Sequence, residues 1–543
     1  MSFTVNPILA CDFYKVGHKF QYPEGTEMVY SNFTPRSTNY ATKLPETFDG
    51  IVNFGLQGFI KSFLIDSFNK NFFARSLQDV LSDYKSRCDN ALGIDSVPTD
   101  HIESLHKLGY LPLEIKALPE GELVPVKVPV LTVKNTLPEF FWLTNYIETV
   151  LSTSLWRAMT SATTAYQYRK LMQEWAVKTG SPLDFVLWQG HDFSLRGMGG
   201  LEDGAVSGAG HLCSFLGTDT IPAMQYLEEF YSGKDTFIGG SVPATEHAVM
   251  CVNGQVDEIG TFKRLITEVY PSGIVSIVSD TWDFWKVITE YTVTLKDEIL
   301  NRTPNALGMA KVVFRPDSGN PADILCGLRV QKMDELVAWE IEAGTDVIEY
   351  NGKVYYYEIS YGRYEGDETI ILGEEVRPEA IKGAVECLWD VFGGTVNSQG
   401  YKVLNERVGL IYGDSITLSL AKEIFKRLEA KGFASCNTVL GIGSYTYCYQ
   451  TRDSLGFAMK ATYGIVNGVG VSVEKNPVTD SGTKKSAKGL LRVELENDTY
   501  VLYDNQTPEQ ELQGELQTVF KNGVLTKETN ISEIRNRLNN KLK

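Results

Sequence analysis

The stretch VGLIYGDSITLSLAKEIFKRLEAKGF, residues 408–433, shows the unit from which the fold is built. A short apolar run, VGLIY, is followed by a polar turn with a glycine, GDS, and then by apolar residues at helical spacing. A continuous apolar run of this length is typical of a strand buried on both faces of a parallel sheet. The stretch therefore predicts a strand, a turn and a helix in that order.

The same unit recurs through the middle of the chain. Apolar runs lead into polar turns and helical patterns at FVLWQ (185–189), CSFLG (213–217), GIVSIV (273–278), KVVF (311–314) and NTVLG (437–441). Strands that alternate with helices predict an α/β fold, and their number favours a barrel related to the (β/α) type over residues 181–450. In such barrels the chemistry lies at the carboxyl ends of the strands, where the polar turns fall.

The flanking regions follow other patterns. Residues 138–159 have helical spacing without an internal glycine or proline, and the helix is expected to continue to Thr179. After residue 460 the pattern becomes strand-rich, as in RVELENDTYVLYDN (492–505), and a last helix is expected at 531–541. Because these strands can pair with those near the amino terminus, residues 1–180 and 451–543 are predicted to form one composite α+β domain.

The alternation breaks between residues 328 and 400. The dipeptide N-G at 351–352 lies between strand-like runs and predicts a hairpin turn. Acidic residues are frequent in this region, which we interpret as an exposed insertion in the barrel.

Composition excludes several classes of protein. The formal net charge of −17 over 543 residues argues against a nonspecific nucleic-acid binder, which needs a broad basic surface. Eight scattered cysteines without a C-x-x-C pair give little support to a zinc site or a disulfide framework. The first residues lack a signal-peptide pattern, and no apolar run reaches about 18 residues, the length of a membrane span. We therefore expect a cytoplasmic protein with neither nucleic acid nor membrane as a partner.

Three polar turns are candidates for phosphate binding. In RPDSGNP (315–321), Arg315 can hold a phosphate with two hydrogen bonds and Asp317 can hold ribose hydroxyls, although a turn with a surface ion pair explains the motif equally well. The turns YGDS (412–415) and GIGS (441–444) each separate an apolar run from a helix, so their backbone N–H groups can approach a phosphate. Arg452, shortly after them, can add positive charge.

Other candidates suit an aromatic substrate or an acid–base role. Phe193 in GHDFSLRG can stack on a planar ring, but a place in the core is the commoner role for phenylalanine. Asp219 in GTDT can hold an exocyclic amide or can cap the helix that follows. His247 in GGSVPATEHAVM can be catalytic if a carboxylate such as Asp280 orients it, whereas a lone histidine is more often structural.

Taken in order, these motifs resemble the nicotinamide phosphoribosyltransferases of the type II phosphoribosyltransferase family. The likeness covers nearly the whole chain and includes DFYKVGHKFQYP (12–23), LPLEIKALPEG (111–121), FWLTNYIET (141–149), HLCSFLGTDT (211–220), VSDTWD (278–283), QTRD (450–453) and VFKNGVLTKE (519–528). The chain departs from the family in its longer 328–400 region and in GIGS, where relatives tend to carry a run of glycines. The resemblance implies the irregular barrel of this family, with the composite domain beside it.

The resemblance also implies a reaction. Enzymes of this kind join nicotinamide to 5-phosphoribosyl 1-diphosphate with the help of Mg²⁺, as a step of NAD salvage. ATP stimulates them through a phosphohistidine. The alternative function for this chain is that of a nicotinate phosphoribosyltransferase. It assigns catalytic roles to His247, Asp280, Glu246 and Asp317, and substrate-binding roles to Tyr14, Phe193, Arg196, Asp219, Arg315, Gly413, Asp414, Gly443, Ser444 and Arg452. Further phosphate contacts are expected from Arg36, Lys460 and Lys484. Tyr14 would come from a partner subunit, so a homodimer with shared sites is expected; the metal ligands are not assigned.

Overall fold

The computed structural model describes residues 5–42, 44–45, 48–232, 236–362, 368–413, 415–474 and 487–543. Its strands, in chain order, are β1 Thr26–Thr34, β2 Ile51–Val52, β3 Leu113–Ala117, β4 Leu123–Val124, β5 Leu131–Asn135, β6 Gly190–Asp192, β7 Gly217–Thr218, β8 Val275–Val278, β9 Val312–Arg315, β10 Val330–Lys332, β11 Val347–Tyr350, β12 Lys353–Ser360, β13 Thr369–Glu375, β14 Gly394–Val396, β15 Lys402–Leu404, β16 Val408–Tyr412, β17 Thr438–Ile442, β18 Ala458–Val466, β19 Val469–Ser472, β20 Leu490–Glu496, β21 Thr499–Gln506, β22 Gln517–Lys521 and β23 Val524–Leu525.

Helices connect most of these strands. The α-helices are α1 Leu56–Phe59, α2 Leu77–Leu92, α3 Asp100–Leu108, α4 Leu143–Tyr146, α5 Glu148–Thr179, α6 Leu183–Gln189, α7 Leu201–Leu212, α8 Ile221–Tyr231, α9 His247–Asn253, α10 Glu258–Arg264, α11 Phe284–Lys286, α12 Thr292–Thr294, α13 Lys296–Leu300, α14 Pro321–Cys326, α15 Pro378–Lys382, α16 Ala384–Phe392, α17 Leu418–Ala430, α18 Ser444–Cys448, α19 Pro508–Glu511 and α20 Ile531–Lys541. Short 3₁₀ segments span Pro7–Leu9, Phe13–Phe20, Pro138–Phe140, Leu195–Gly197, Ala338–Glu340 and Ser435–Asn437, and π-helical turns span Ile60–Ser67, Asn69–Phe73, Leu265–Val269 and Val287–Tyr291. Within the described ranges, no helix combines the length and the apolar character that a membrane crossing requires.

A curled parallel sheet forms the centre of the molecule. Its six strands lie in the order β7-β6-β17-β16-β9-β8, with every neighbouring pair parallel. Residues 240–245, which we call the closing segment, bridge its two edges: Gly240 pairs with Gly217 on β7, and Ala244 pairs with Ser276 on β8. The predicted α/β fold with a barrel-like sheet is confirmed, and the carboxyl ends of its strands gather at one rim.

The second large sheet is antiparallel and draws its strands from both ends of the chain. Its seven strands lie in the order β19-β18-β1-β5-β3-β22-β23. The strands β20 and β21 instead pair with each other. The boundaries near residues 180 and 450 that we predict between the two domains stay predictions.

Two of the predicted barrel strands are wrong in position. FVLWQ lies in α6, and the strand is the following Gly190–Asp192; CSFLG follows α7, and the strand is Gly217–Thr218. These strands have only two or three residues, several of them polar or glycine, so they lack the apolar pattern that marks a buried strand. The runs at GIVSIV, KVVF, VGLIY and NTVLG do contain strands β8, β9, β16 and β17, as predicted.

The 328–400 region divides into an exposed part and a buried part. The predicted hairpin is confirmed: β11 and β12 pair across Asn351 and Gly352, which have φ of 52° and 76°. With β10 and β13 they form a four-stranded sheet. The expectation of exposure is wrong for α16, because Ala384 and Leu388 are fully buried in the core of the barrel. Its apolar face covers the outside of the sheet, as barrel helices do.

The helices at either end of the composite region match their predictions. Helix α5 continues without a break from Glu148 to Thr179, and α20 spans Ile531–Lys541. Helix α5 contributes to three hydrophobic clusters in succession, through Leu151 and Met159, then Tyr166, then Met172 and Trp175. A single buried helix therefore connects the core of the antiparallel sheet to that of the barrel.

Replacing Gly441 with alanine should destabilise the barrel, because β16 and β17 approach too closely there for a side chain. A Cβ at this position would lie 2.4 Å from the carbonyl oxygen of Gly413. We expect Gly441→Ala to lower the free energy of unfolding by about 1–3 kcal/mol, the usual cost of overpacking, as measured by urea denaturation. Gly373→Ala is the matched control, since its Cβ would meet nothing closer than 3.3 Å. Equal losses in the two variants would contradict the prediction.

Candidate active site

The site lies where the strands of the barrel end. The rim brings together side chains that follow five parallel strands, and the interior below it is hollow, with a cavity of about 790 Å³. Phe193, Asp219 and Arg315 all line this cavity. Three residues that the sequence singled out separately therefore face one space.

Asp219 is held by two neighbours at the mouth of the cavity. Its Oδ1 accepts hydrogen bonds from His191 Nε2 at 2.9 Å and from Ser241 Oγ at 2.5 Å. Burial opposes ionisation of Asp219, but the bonds from His191 and Ser241 and the charge of Arg315 outweigh it, so the pKa of this carboxyl is lowered. Asp219 is not a helix cap, because Thr220 holds that position before α8.

Phe193 stands beside the same histidine. The centroids of the Phe193 and His191 rings lie 4.6 Å apart at an interplanar angle of 35°. Phe193 is half-buried and lines the cavity, which excludes the alternative of a simple core residue. An aromatic face and an ionised carboxylate therefore border one cavity, an arrangement suited to a planar ring that carries a hydrogen-bond donor.

Asp280 connects the loops after β8 and β9 to the start of α9. Its Oδ1 lies 3.1 Å from His247 Nε2, and its Oδ2 accepts hydrogen bonds from the Asp317 N–H at 2.9 Å and from Ser318 Oγ at 2.6 Å. Burial disfavours the ionised form, but the hydrogen bonds from Ser318, Asp317 and His247 outweigh it and lower the pKa of Asp280. An ionised Asp280 thus orients His247, whose side chain is 49% exposed.

Asp317 is in a different electrostatic environment. Burial and the nearby Asp280 raise its pKa, although Arg315 opposes them through an Nε–Oδ2 contact of 3.3 Å. Its Oδ1 is buried without a hydrogen-bond partner among the described residues. A Cβ on Gly413 would lie 2.0 Å from that oxygen, so the glycine is required for Asp317 to occupy this place.

Arg315 lies between these groups. It pairs with Asp317 as the simple turn alternative predicted, but it also donates an NH2 hydrogen bond of 2.7 Å to the carbonyl oxygen of Thr245 in the closing segment. Its side chain is only 11% exposed and faces the cavity. These two contacts fix the orientation of the guanidinium, and the long contact with Asp317 neutralises only part of its charge. The guanidinium is therefore suited to bind an anion.

The Arg196 turn packs directly on the second glycine turn. A Cβ on Gly197 would lie 2.2 Å from Ser444 Oγ, so the segment Leu195–Gly197 contacts the start of α18. Gly443 precedes that helix as its N-cap. Arg196, Gly443 and Ser444 therefore share one part of the rim.

Several predicted residues lie apart from this group. Glu246 is exposed before α9, and His247 Nε2 donates its hydrogen bond to Asp280 instead. Arg36 donates a hydrogen bond to the Gly456 carbonyl, and Arg452 pairs with Asp453. Both arginines therefore lie near the start of β18, the strand that carries Lys460.

Tyr14 is 60% exposed and packs against His18 in the amino-terminal segment, with ring centroids 4.9 Å apart. Asp414 and Lys484 lie outside the described residues. Their predicted roles stay predictions.

Sequence reasoning missed four residues that build the site: His191, Ser241, Thr245 and Ser318. Each lies within one of the motifs quoted above, but only Thr245 and Ser318 are next to predicted site residues, Glu246 and Asp317. His191 and Asp219 are 28 residues apart in the chain, and only the parallel pairing of β6 with β7 brings them together.

Comparison with known proteins places the chain in a family. Residues 188–524 match the family described as "Nicotinate phosphoribosyltransferase (NAPRTase) family", and residues 6–90 match "Nicotinamide phosphoribosyltransferase, N-terminal domain". A relative named nicotinamide phosphoribosyltransferase from Acinetobacter baylyi is 56% identical over 99% of this chain and 98% of its own. One of the same name from Mycoplasma pneumoniae is 31% identical over 89% of this chain and 94% of its own.

A solved structure shows the same fold. The crystal structure of nicotinate-nucleotide pyrophosphorylase from Pyrococcus furiosus matches with a TM-score of 0.50 at 15% identity, covering 100% of this chain and 98% of that chain.

The acid stability of the protein should depend on Asp280. Its folded-state pKa lies below the ordinary aspartate value of 3.8, so its contribution to the free energy of unfolding is present above that pH and is lost as the pH falls through the folded-state pKa. We expect Asp280→Asn to cost about 1.5–3 kcal/mol at pH 7 and progressively less towards pH 3, in denaturation curves measured across this range.

Asp317→Asn provides the control for that experiment. The raised folded-state pKa of Asp317 gives the opposite sign, so the stability of the unchanged protein relative to this variant should increase as the pH falls. A difference that does not vary with pH in either variant would contradict the assignment.

Proposed function

This chain belongs to the nicotinate phosphoribosyltransferase family, and on that premise we propose that it joins nicotinamide to 5-phosphoribosyl 1-diphosphate. The products are nicotinamide mononucleotide and diphosphate, which makes this a salvage step towards NAD. The observation that carries the proposal is one cavity lined by the Phe193 ring and the Asp219 carboxylate, with Arg315 and Asp317 at its rim. The direct test is to incubate the protein with both substrates and Mg²⁺, with and without ATP, and to detect the mononucleotide.

The base end of the cavity favours an amide over an acid. An ionised Asp219 accepts a hydrogen bond from a carboxamide NH2 and repels a carboxylate. The lowered pKa of Asp219 supports this role, because the carboxyl stays ionised at neutral pH. Nicotinate, the alternative substrate, would bring a second negative charge to the same position. Phe193 would stack on one face of the pyridine ring.

The sugar phosphate would occupy the rim. Arg196 and Arg315 would bind phosphate oxygens, and Asp317, whose Oδ1 has no described partner, would accept hydrogen bonds from ribose hydroxyls. The turns at Gly413 and Gly443, with Ser444, would bind the 5-phosphate through backbone N–H groups. We propose Asp414 and Arg452 as further parts of the site for the 5-phosphate and ribose, and Arg36, Lys460 and Lys484 as further contacts with the phosphates.

The reaction requires that the bond between C1 and diphosphate weaken while the pyridine nitrogen approaches C1. Positive charge develops on the sugar as that bond lengthens, as in glycoside cleavage. Binding energy at the remote 5-phosphate orients the ring for this step. Mg²⁺ would neutralise charge on the leaving diphosphate.

The described residues are compatible with a Mg²⁺ ion that is held mainly by the diphosphate of the substrate. They contain no cluster of three His, Cys, Asp or Glu side chains that could hold a metal alone. Magnesium commonly takes one or two carboxylates and completes its shell with phosphate oxygens and water. Asp317, whose Oδ1 has no hydrogen-bond partner among the described residues, would be one such carboxylate.

His247 would be the acceptor of a phosphoryl group from ATP. Because a carboxylate accepts, His247 Nε2 carries the hydrogen that Asp280 binds, which leaves the lone pair on Nδ1. Attack of the Nδ1 lone pair on the γ-phosphorus would form the N–P bond and break the P–O bond to ADP, which leaves with the electron pair. The hydrogen stays on Nε2, and the Asp280 carboxylate would stabilise the positive charge of the ring. The exposure of His247 supports access by ATP. Glu246, at the adjacent position, would balance the positive charge on the phosphorylated imidazole ring.

We also propose a homodimer with shared sites. Tyr14 is exposed in an amino-terminal segment and would cover the second face of the pyridine in a partner subunit. A cytoplasmic location remains a prediction.

His247→Ala should abolish stimulation by ATP. Without Nδ1 no phosphoryl group can be accepted, so we expect the ratio of kcat/KM with ATP to that without ATP to fall to about one. Val252→Ala, an exposed change on the same helix, should retain the full ratio. Product formation that stays coupled to ATP hydrolysis in His247→Ala would refute the role.

Asp219→Asn should reduce the preference for nicotinamide over nicotinate. We expect the ratio of the two kcat/KM values to fall at least about tenfold, which corresponds to about 1.4 kcal/mol, because the charge repulsion is removed. Ser241→Ala keeps the charge and should keep most of the preference. An unchanged ratio in Asp219→Asn would count against this reading of the base site.

A further inference from the structure

A second cavity lies between the amino-terminal segment and helix α2. Its volume is about 620 Å³, and small-molecule sites commonly occupy about 300–1,000 Å³. Its lining comes from two segments of the chain, residues 5–16 and residues 71–88. The cavity in the barrel and this one have no lining residue in common. Whatever this cavity binds is therefore distinct from the ligands of the barrel.

The amino-terminal segment supplies an apolar lining. Val5, Leu9, Phe13 and Val16 all border the cavity. Leu9 and Val16 belong to the hydrophobic cluster of the antiparallel sheet, and Phe13 is 45% exposed. A half-exposed phenylalanine at the edge of a cavity offers its ring to the apolar part of a ligand.

The opposite segment supplies an excess of positive charge. The charged side chains of the lining are Arg75, Asp83 and Arg87. Arg75 Nη1 donates a hydrogen bond of 2.6 Å to Asp83 Oδ2. Arg87 Nη1 donates one of 2.9 Å to the Asp83 carbonyl oxygen and lies 3.9 Å from Oδ1. Two guanidinium groups thus share one carboxylate, which leaves one unbalanced positive charge in a chain whose net charge is −17.

Asn6 adds a hydrogen-bond donor that is not used. The residue lines the cavity, is only 7% exposed, and accepts a hydrogen bond from the Ile8 N–H at its Oδ1, at 3.3 Å. Its Nδ2 is buried without an acceptor among the described residues. Because a buried amide N–H without an acceptor costs free energy, an acceptor on a ligand would stabilise this end of the cavity.

We propose that this cavity binds a small organic acid, with its apolar body against Phe13 and its carboxylate paired with Arg87. A guanidinium has five N–H donors, and among the described residues only the Asp83 carbonyl accepts from that of Arg87. The single charge of a carboxylate matches the single excess charge of the lining, whereas a phosphate monoester would bring almost two charges.

The position of the site connects it to the amino-terminal segment. Phe13 and Val16 lie on either side of Tyr14 in the 3₁₀ segment Phe13–Phe20. A ligand in the cavity would therefore contact the segment that carries Tyr14. The proposal does not depend on the reaction at the rim of the barrel.

The test is calorimetric titration of the whole protein with hexanoate, with its neutral analogue hexanamide, and with acetate, which lacks the apolar body. We expect Arg87→Met to weaken hexanoate binding at least about tenfold, because it removes a hydrogen bond to a charged group, and to leave the affinity for hexanamide unchanged. Acetate should bind more weakly than hexanoate. Lys85→Met is the matched control, since it removes the same charge from the same helix at a position outside the lining, and it should have no effect.

A second measurement locates the ligand without a variant. Cys11 lines the cavity and is half-buried, whereas Cys251 is exposed on α9. Hexanoate at about ten times its Kd should slow the alkylation of Cys11 by iodoacetamide about tenfold, since few sites are then empty, and should leave the rate at Cys251 unchanged. Peptide mass spectrometry measures both rates.

Three results would overturn the proposal. The first is hexanoate that does not bind, or that binds equally to the unchanged protein and to Arg87→Met. The second is an equal loss of affinity in Lys85→Met and Arg87→Met, which would indicate a general effect of charge. The third is a rate of alkylation at Cys11 that hexanoate does not change, which would place the ligand elsewhere.

Discussion

The pairing of residues 240–245 with both edges of the parallel sheet is the constraint on which the rest of the barrel depends. The Thr218 N–H donates to the Gly240 carbonyl at 3.0 Å, and the Thr245 N–H donates to the Ser276 carbonyl at 3.0 Å. Without these bonds, β7 and β8 would each present unpaired backbone groups. Ser241 and His247 lie within or just beyond this segment, so the same pairing fixes the partner of Asp219 and the partner of Asp280. This one short segment therefore positions a hydrogen-bond partner for Asp219 and one for Asp280.

Three aspartates at the rim show how neighbours set the chemistry of one side-chain type. Asp280 accepts three hydrogen bonds and Asp219 accepts two, and the pKa of each carboxyl is lowered. Among the described residues, Asp317 has one side-chain contact, of 3.3 Å with Arg315, and a buried oxygen without a hydrogen-bond partner, and its pKa is raised. The first two are fixed anions, and Asp280 orients His247. The third keeps an unused acceptor, which is what a substrate hydroxyl requires.

The sequence predicted the elements with strong patterns and missed those without them. Strands β8, β9, β16 and β17 were found because each is a continuous apolar run, and α20 was found by its helical spacing. Strands β6 and β7 were misplaced because Gly190–Asp192 and Gly217–Thr218 are short and mostly polar or glycine. The rule that catalytic residues lie at the ends of strands was enough to propose Asp280 as a partner for His247. The bond between His191 and Asp219 could not be foreseen, since it depends on which strands are neighbours in the sheet.

The long helix α5 has a consequence for how the enzyme can move. Its 32 residues run unbroken from the hydrophobic cluster of the antiparallel sheet to that of the barrel, so this connection between the two parts contains no hinge. Closure by swinging one lobe over the other, common in two-lobed enzymes, would require that helix to bend or break. Local rearrangement of the loops at the rim would leave this helix intact.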